Sequence, residues 1–166
     1  MMQIDAAAEV EPLDPDIFGE ASPCFGCAPH HPIGFKLRFE RIGEVVRTRF
    51  TPDARYQGPP GIFHDGLVTT LADEIAAWTV LGLRHCFGFT AALSGRLVHP
   101  VRIEDEVVGL GRIEADRRRL LEIEVELQQA GRVAFRGSFT FALLDEAGAT
   151  RLLGELPEAW KPFCRR

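Results

Sequence analysis

The chain has 166 residues, of which 46% are apolar and 26% are charged, and its net charge is −5. Such a composition is typical of an ordinary globular domain with one core. An acidic balance argues against a nucleic-acid surface, because phosphate binding requires a concentrated basic field. No uncharged apolar stretch reaches the length of about 18 residues that suggests a membrane span, and the N-terminus lacks the pattern of a secretion signal. We therefore expect a cytoplasmic protein with neither nucleic acid nor membrane as a partner.

The first predicted elements follow an acidic, proline-containing segment, residues 1–22, which we expect to be a tail or a loosely docked arm. Alternating apolar and charged residues then predict a hairpin of two strands, Gly34–Glu40 and Glu44–Phe50, with its turn at Gly43. A loop rich in proline and glycine over residues 51–61 leads into one long apolar helix. We expect that helix to end near Gly82 or Arg84.

Four further strands are predicted after the helix, at Phe89–Val101, Asp105–Ala115, Leu120–Gln129 and Arg132–Leu144. Their short connections favour an antiparallel meander, because parallel crossovers need more chain. Two strands, one buried helix and four strands predict an α+β fold, with a twisted antiparallel sheet wrapped around one long central helix. We place this domain at residues 23–150 and a C-terminal tail at residues 151–166.

Two adjacent carboxylates, Asp73 and Glu74, interrupt the central helix, which is otherwise apolar or small on nearly every face. An ionised carboxylate in such a place costs several kcal/mol unless it is paired or lines a wet cleft. We therefore predict a functional role for Asp73, with pairing to an arginine or a threonine as the structural alternative. Glu74 lies about 100° further round the helix, where we expect a structural or ion-paired role.

The helix start is predicted at His64-Asp65-Gly66, after a turn at Gly61, with the Asp65 side chain capping the first free amides. Free amides at a helix N-terminus can stabilise an oxyanion. Asp73 follows His64 by nine residues, or roughly 13 Å of helix rise. If the two groups cooperate on one carbonyl, they meet across a symmetric dimer.

Four cysteines are too few for a disulfide framework. Cys24-x-x-Cys27 followed by His30 and His31 has the spacing of half a zinc site, but no second pair with matching spacing follows. We favour structural cysteines and predict no metal, with zinc binding and redox use as the alternatives.

These motifs resemble the hotdog-fold acyl-CoA thioesterases, in particular the phenylacetate-type branch related to 4-hydroxybenzoyl-CoA thioesterases. The resemblance covers roughly residues 23–144. Its centre is Gly61-x-x-His64-Asp65-Gly66 followed by Leu71-Ala72-Asp73-Glu74. The flanking text is Cys24-Phe25-Gly26-Cys27, Pro32-Ile33-Gly34-Phe35, Tyr56-Gln57-Gly58-Pro59-Pro60, Thr90 and Pro100-Val101-Arg102-Ile103-x-Asp105.

The resemblance implies hydrolysis of an acyl-CoA thioester at the interface of a homodimer, which can assemble further as a homotetramer. By position, Asp73 would be the general base or the nucleophile, and Thr90 would help to orient the water. The N–H of Asp65, with that of Gly66, would hold the thioester oxygen, and His64 would support the helix start or touch the thioester. The predicted substrate contacts are Gln57, Gly58, Phe63, Glu74 and Ala77. The substrate would carry coenzyme A, and no cofactor is implied.

The sequence departs from the family pattern at two positions. Asp65 stands where the family usually has glycine, so a side chain is added where negative charge must develop. Gly58 stands where some relatives have Asn or Gln, and Gln57 is one residue earlier. Because of Asp65, a protein that binds acyl-CoA without hydrolysing it is the alternative function. A hydratase on the same scaffold lacks a suitably placed Asp and His pair.

Overall fold

A seven-stranded antiparallel sheet packed around one long helix forms the body of the protein, which is described by a computed structural model over residues 1–19 and 22–165. The strands are β1 (Val10–Pro12), β2 (Phe39–Ile42), β3 (Val45–Phe50), β4 (Gly88–Leu97), β5 (Val107–Asp116), β6 (Leu120–Gln129) and β7 (Arg132–Leu143). The helices are α1 (Asp65–Arg84) and α2 (Glu146–Leu153). The strand order is β1-β2-β3-β5-β6-β7-β4. The predicted α+β architecture is confirmed.

Six strands of the sheet, β2 to β7, contact helix α1. These contacts bury its apolar side chains. Its buried side chains include Leu71, Ile75 and Trp78, which belong to the main core. By length and composition alone this helix could cross a membrane, but it is largely buried inside the protein. Its hydrophobicity is therefore accounted for by the core.

Two glycines of β5 allow α1 to lie close to the sheet. A Cβ on Gly109 would stand 2.3 Å from Ile75 Cδ1, and a Cβ on Gly111 would stand 2.1 Å from Thr79 Oγ1. Real Cβ atoms do not approach so closely, so these positions exclude larger residues unless the helix shifts.

The predicted first strand is wrong at its N-terminal end, since β2 begins at Phe39 and not at Gly34. The N–H groups of Phe35 and Leu37 donate to the carbonyl oxygens of Phe25 and Gly26. These backbone groups are thus bound to the Cys24–Cys27 loop and not to a neighbouring strand.

Both predicted tails are joined to the body of the protein. Strand β1 pairs antiparallel with β2, so part of the N-terminal segment is an edge strand. Phe18 of that segment packs against Trp160, whose indole N–H donates to the Phe18 carbonyl at 3.2 Å. Aromatic burial explains why neither segment stays free. Positions 20, 21 and 166 of the predicted tails lie outside the described residues.

Candidate active site

Helix α1 begins with a cap supplied by His64, and not by Asp65 as the sequence predicted. His64 has extended backbone angles, and its Nδ1 accepts a hydrogen bond from Gly66 N–H at 3.0 Å. This contact requires the ring proton on Nε2. The carbonyl oxygen of His64 accepts from Leu67 and Val68, as expected at an N-cap.

The N-cap makes the two amides that were predicted to hold an oxyanion, those of Asp65 and Gly66, different from each other. Gly66 N–H is already bound to His64 Nδ1. Asp65 N–H, in contrast, donates to no acceptor among the residues that the structure describes. A free, exposed amide at the positive end of a 20-residue helix can bind an oxygen that gains negative charge. Asp65 is thus the stronger candidate of the two.

Asp73 and Thr90 are brought together, seventeen residues apart in sequence. Thr90 Oγ1, on β4, donates to Asp73 Oδ1 at 2.7 Å, and both side chains are half-buried. Burial raises the pKa of Asp73, and the hydrogen bond from Thr90 partly opposes that shift. The second carboxylate oxygen makes no hydrogen bond to any described residue, so it can accept a proton from a bound water.

The Asp65 amide and the Asp73 carboxylate of one chain cannot both contact the same carbonyl group. Eight residues of helix separate them, which amounts to roughly 12 Å along the axis. A carbonyl group spans far less than this distance. Within one copy of the chain, the two groups are therefore too far apart to contact the same carbonyl group.

The loop before α1 holds Gln57 and Gly58 beside the helix start. Gln57 Oε1 accepts from Gly61 N–H at 3.2 Å, so its amide closes the turn. A Cβ on Gly58 would lie 3.3 Å from His64 Cα, which shows how closely the loop approaches the cap. Both residues are exposed.

Phe63 is the one predicted substrate contact that the structure contradicts. Its side chain is 0% exposed and packs against Phe35, Phe50 and Tyr56. A side chain without exposed surface does not line a ligand site. Phe63 is therefore a core residue, and its aromatic partners explain its conformation.

Glu74 and Ala77 line a cavity of about 140 Å³ beside α1. Four aromatic side chains line it: Phe18, Trp78, Phe87 and Trp160. Neither Asp73 nor Thr90 is among its described lining residues. The cavity therefore borders the candidate acid only through the next residue along the helix.

Glu74 has no basic partner in the described residues, contrary to the ion pair that the sequence suggested. Its Oε1 is hydrogen-bonded to Cys24 Sγ at 3.3 Å. The Cys27 thiol donates to Cys24 Sγ at 2.9 Å. Sequence spacing could not find this cluster, because its third member comes from a helix fifty residues further on.

The protonation of this cluster follows from burial. Burial, reinforced by the negative charge on Cys24, raises the pKa of Glu74 to about 8. The thiol hydrogen bond from Cys27 lowers the pKa of Cys24 to about 5. The same hydrogen bond, together with burial, raises the pKa of Cys27. Cys24 is therefore the most easily ionised member.

The histidines proposed from sequence as zinc ligands are not in this cluster. His30 is exposed. His31 Nδ1 accepts from Ile33 N–H at 3.3 Å, and its ring packs on Phe25. Any metal held by Cys24 and Cys27 would therefore use Glu74 as the third protein ligand among the described residues.

The sheet, the central helix and the acid on that helix define the class first: this is a hotdog-fold protein. The sequence profile of the thioesterase superfamily matches residues 60–135. That span runs from the loop before α1 into β7 and includes His64, Asp65, Asp73 and Thr90. This part of the chain is therefore similar to the thioesterase superfamily.

Solved structures share the fold at low sequence identity. A thioesterase superfamily protein is 23% identical over 84% of this chain and 69% of its own, with a TM-score of 0.68. A hypothetical thioesterase from Streptococcus pneumoniae TIGR4, crystallised with coenzyme A, is 20% identical over 64% of this chain and 87% of its own, with a TM-score of 0.60. A phenylacetic acid degradation-related protein from Ralstonia eutropha JMP134 is 16% identical over 65% of this chain and 85% of its own, with a TM-score of 0.60. A comparison with curated proteins gave no match.

Proposed function

We propose that this protein hydrolyses acyl-CoA thioesters, with each active site shared between two copies of the chain. One observation carries the proposal: a half-buried carboxylate, Asp73, is held by Thr90 at 2.7 Å on a helix whose free N-terminal amide is too distant to act on the same substrate. The superfamily match supports the reaction class. The coenzyme A in the Streptococcus pneumoniae structure supports the thioester carrier.

The partner copy is expected at the free edge of β4. This strand ends the sheet, so one side of its backbone has no neighbouring strand. Residues 91–100 are exposed throughout, and they include three large apolar side chains, Leu93, Leu97 and Val98. An unpaired edge with apolar side chains favours pairing with a second chain. Thr90 lies on this strand, so the partner would approach close to Asp73.

In the proposed mechanism Asp73 acts as general base. Its free oxygen accepts a proton from a water molecule that Thr90 helps to orient, and the water oxygen attacks the thioester carbonyl carbon. Asp65 N–H of the second copy stabilises the oxyanion. When the C–S bond breaks, the proton on Asp73 passes to the departing thiolate, and the products are a carboxylate and coenzyme A. General-base catalysis contributes about 10²–10⁴-fold, and one oxyanion donor contributes about 10²–10³-fold. Direct attack by Asp73 on the carbonyl is the variant of this mechanism.

The acyl group is proposed to be small to medium in size and apolar or aromatic. The aromatic wall of the 140 Å³ cavity supports this choice, as does the small side chain of Ala77. Glu74 would border the acyl group, whereas Gln57 and Gly58 would border the coenzyme A side of the thioester.

The test is release of free thiol from short, medium, long and aromatic acyl-CoAs, with Asp73→Asn beside wild type. We expect wild-type turnover on at least one substrate and a loss of 10²-fold or more in the variant. Asp116→Asn is the matched control, since Asp116 pairs with Arg84 at the opposite end of α1 and should keep full activity. Loss of activity in Glu74→Gln with normal activity in Asp73→Asn would reverse the assignment.

Binding of acyl-CoA without hydrolysis is the second candidate, and Asp65 favours it. Its exposed side chain adjoins the only free amide of the described helix start. If this function holds, acyl-CoA binds to wild type with no thiol release, and Asp65→Gly gains activity. Under the hydrolase proposal, wild type is already active.

A further inference from the structure

In the cluster of Cys24, Cys27 and Glu74, the two cysteines have no role in the hydrolysis proposed above, and Glu74 takes part in none of its chemical steps. It lies on the wall of the aromatic cavity, with two sulfurs and a carboxylate oxygen all within 4.8 Å of one another. Cys27 is buried, and Cys24 and Glu74 are half-buried. Three acidic groups in a largely apolar cavity need a reason for being together.

The chain is built to press the cysteine loop onto the helix. A Cβ on Gly26 would stand 2.1 Å from Glu74 Cγ and 2.3 Å from Glu74 Cδ. Only glycine allows this approach. Two backbone hydrogen bonds also hold the loop in place: Phe35 N–H and Leu37 N–H donate to its carbonyl oxygens at Phe25 and Gly26. The contact between loop and carboxylate is therefore a fixed part of the fold.

The loop has the local geometry of a metal-binding turn. Cys27 N–H donates to Cys24 Sγ at 3.3 Å, and a backbone donor to the first sulfur of a Cys-x-x-Cys pair stabilises the thiolate. Thiolates are soft ligands that select zinc over calcium or magnesium. Carboxylate oxygen completes a common zinc donor set.

Negative charge on this cluster has no cationic side chain beside it among the described residues of the cavity. No basic residue lines the cavity among the described residues, so ionisation of more than one member would place uncompensated negative charge there. The Ser22 hydroxyl, which lines the same cavity, is buried and has no hydrogen-bond partner among the residues that the structure describes. A divalent cation would offset the charge, and a water bound to that cation could form a hydrogen bond with the Ser22 hydroxyl.

We propose that Cys24, Cys27 and Glu74 bind one zinc ion, with a fourth position open to a water in the cavity beside Ser22. Tetrahedral zinc with bonds of about 2.3 Å to sulfur holds two sulfurs about 3.8 Å apart. The present separation is 2.9 Å, so small side-chain rotations suffice. The thiol protons leave to solvent on binding.

The geometry favours zinc over a disulfide between the two cysteines. A disulfide would remove the thiol that is hydrogen-bonded to Glu74, and the carboxyl group would lose its hydrogen-bond partner. Zinc keeps all three side chains in contact. It would also fasten the cysteine loop to α1 one residue after Asp73, which is a structural role separate from the proposed chemistry.

The experiment is metal analysis of the full chain, purified without chelator from zinc-supplemented cells. We expect about one zinc per chain in wild type and a loss of at least 10-fold in Cys24→Ser, Cys27→Ser and Glu74→Gln. Cys86→Ser is the matched control. Cys86 lines the same cavity but does not belong to the cluster, so this variant should keep its zinc.

Wild-type protein gives a second readout in case the variants do not fold. After removal of zinc and addition of Co²⁺, we expect a thiolate-to-cobalt charge-transfer band and the intense visible bands of tetrahedral cobalt. Absence of both zinc and a cobalt spectrum would overturn the proposal. An intact mass lower by two hydrogens without bound metal would overturn it in favour of a disulfide. Neither readout depends on thioester hydrolysis, so the two proposals fail separately.

Discussion

Thr90 Oγ1 donates to Asp73 Oδ1 at 2.7 Å and so ties the free-edge strand β4 to the middle of the central helix. This hydrogen bond fixes one carboxylate oxygen and leaves the other for a proton. It also places the candidate acid beside the strand on which a second copy is expected. The geometry of the acid and the proposed assembly are therefore linked through one side chain.

Replacement of Thr90 by valine should lower kcat by about 10- to 100-fold, because a hydrogen bond to a charged group contributes about 1.5–3 kcal/mol. Thr90→Ser keeps the hydroxyl and should stay close to wild type. Steady-state thiol release measures both variants. Equal kcat for the valine and serine variants would contradict an orienting role for the hydroxyl.

Charge on the free edge of β4 should separate the dimer and abolish thiol release together. In Leu93→Glu the new carboxylate replaces a side chain that is 51% exposed and that we place in the interface. Light scattering after size exclusion gives the mass, and the thiol assay gives the activity. Leu152→Glu is the matched control, since Leu152 is 57% exposed on α2. A monomeric variant with full activity would exclude a shared site.

His64→Ala should destabilise the fold by about 0.5–2 kcal/mol, because it removes the acceptor that caps Gly66 N–H. His64→Asn provides another capping oxygen and should recover most of that loss. Urea unfolding followed by circular dichroism measures the difference. If alanine and asparagine unfold at the same urea concentration, the cap contributes no stability.

Glu126 should make stability depend on pH. This carboxylate is only 3% exposed. Burial alone would raise its pKa, but hydrogen bonds from Arg136, the Met2 amide and Gln128 outweigh burial and lower it. A carboxyl group with a lowered pKa in the folded state stabilises that state above its unfolded pKa, and the contribution is lost as the pH falls through the folded pKa.

We therefore expect Glu126→Gln to cost about 1–3 kcal/mol near neutral pH and to approach wild type below pH 4.5, the ordinary pKa of the group. Urea unfolding at several pH values measures this. Glu106→Gln is the control, because Glu106 and Arg49 form an exposed pair of the kind that contributes little. A cost for Glu126→Gln that does not change with pH would show that the carboxylate charge is not responsible.

Gly111→Ala should destabilise the protein by about 1–3 kcal/mol through overpacking, since the added Cβ would meet Thr79 Oγ1 at 2.1 Å. Thermal unfolding measures the loss. Thr79→Ala removes the obstructing hydroxyl, so Gly111→Ala should cost less in the Thr79→Ala background than in wild type. Strict additivity of the two changes would contradict direct contact.

The sequence by itself determined the features that depend on neighbouring residues. The continuous apolar stretch and the glycine turn located α1 to within a residue or two, and turn signals located β6 at Leu120–Gln129. Apolar surroundings singled out Asp73. The family resemblance then added Thr90, which no local pattern could have paired with it.

The tertiary structure decided which distant groups meet. It paired Glu74 with Cys24 and not with an arginine, buried Phe63 in the core and attached β1 to the sheet. It also gave the helix cap to His64 and left Asp65 N–H without an acceptor among the described residues. Periodicity and turn chemistry act over a few residues, so a sequence can express them locally. Contacts between segments fifty residues apart depend on how the loops close and how the sheet packs on the helix, and only the folded chain fixes them.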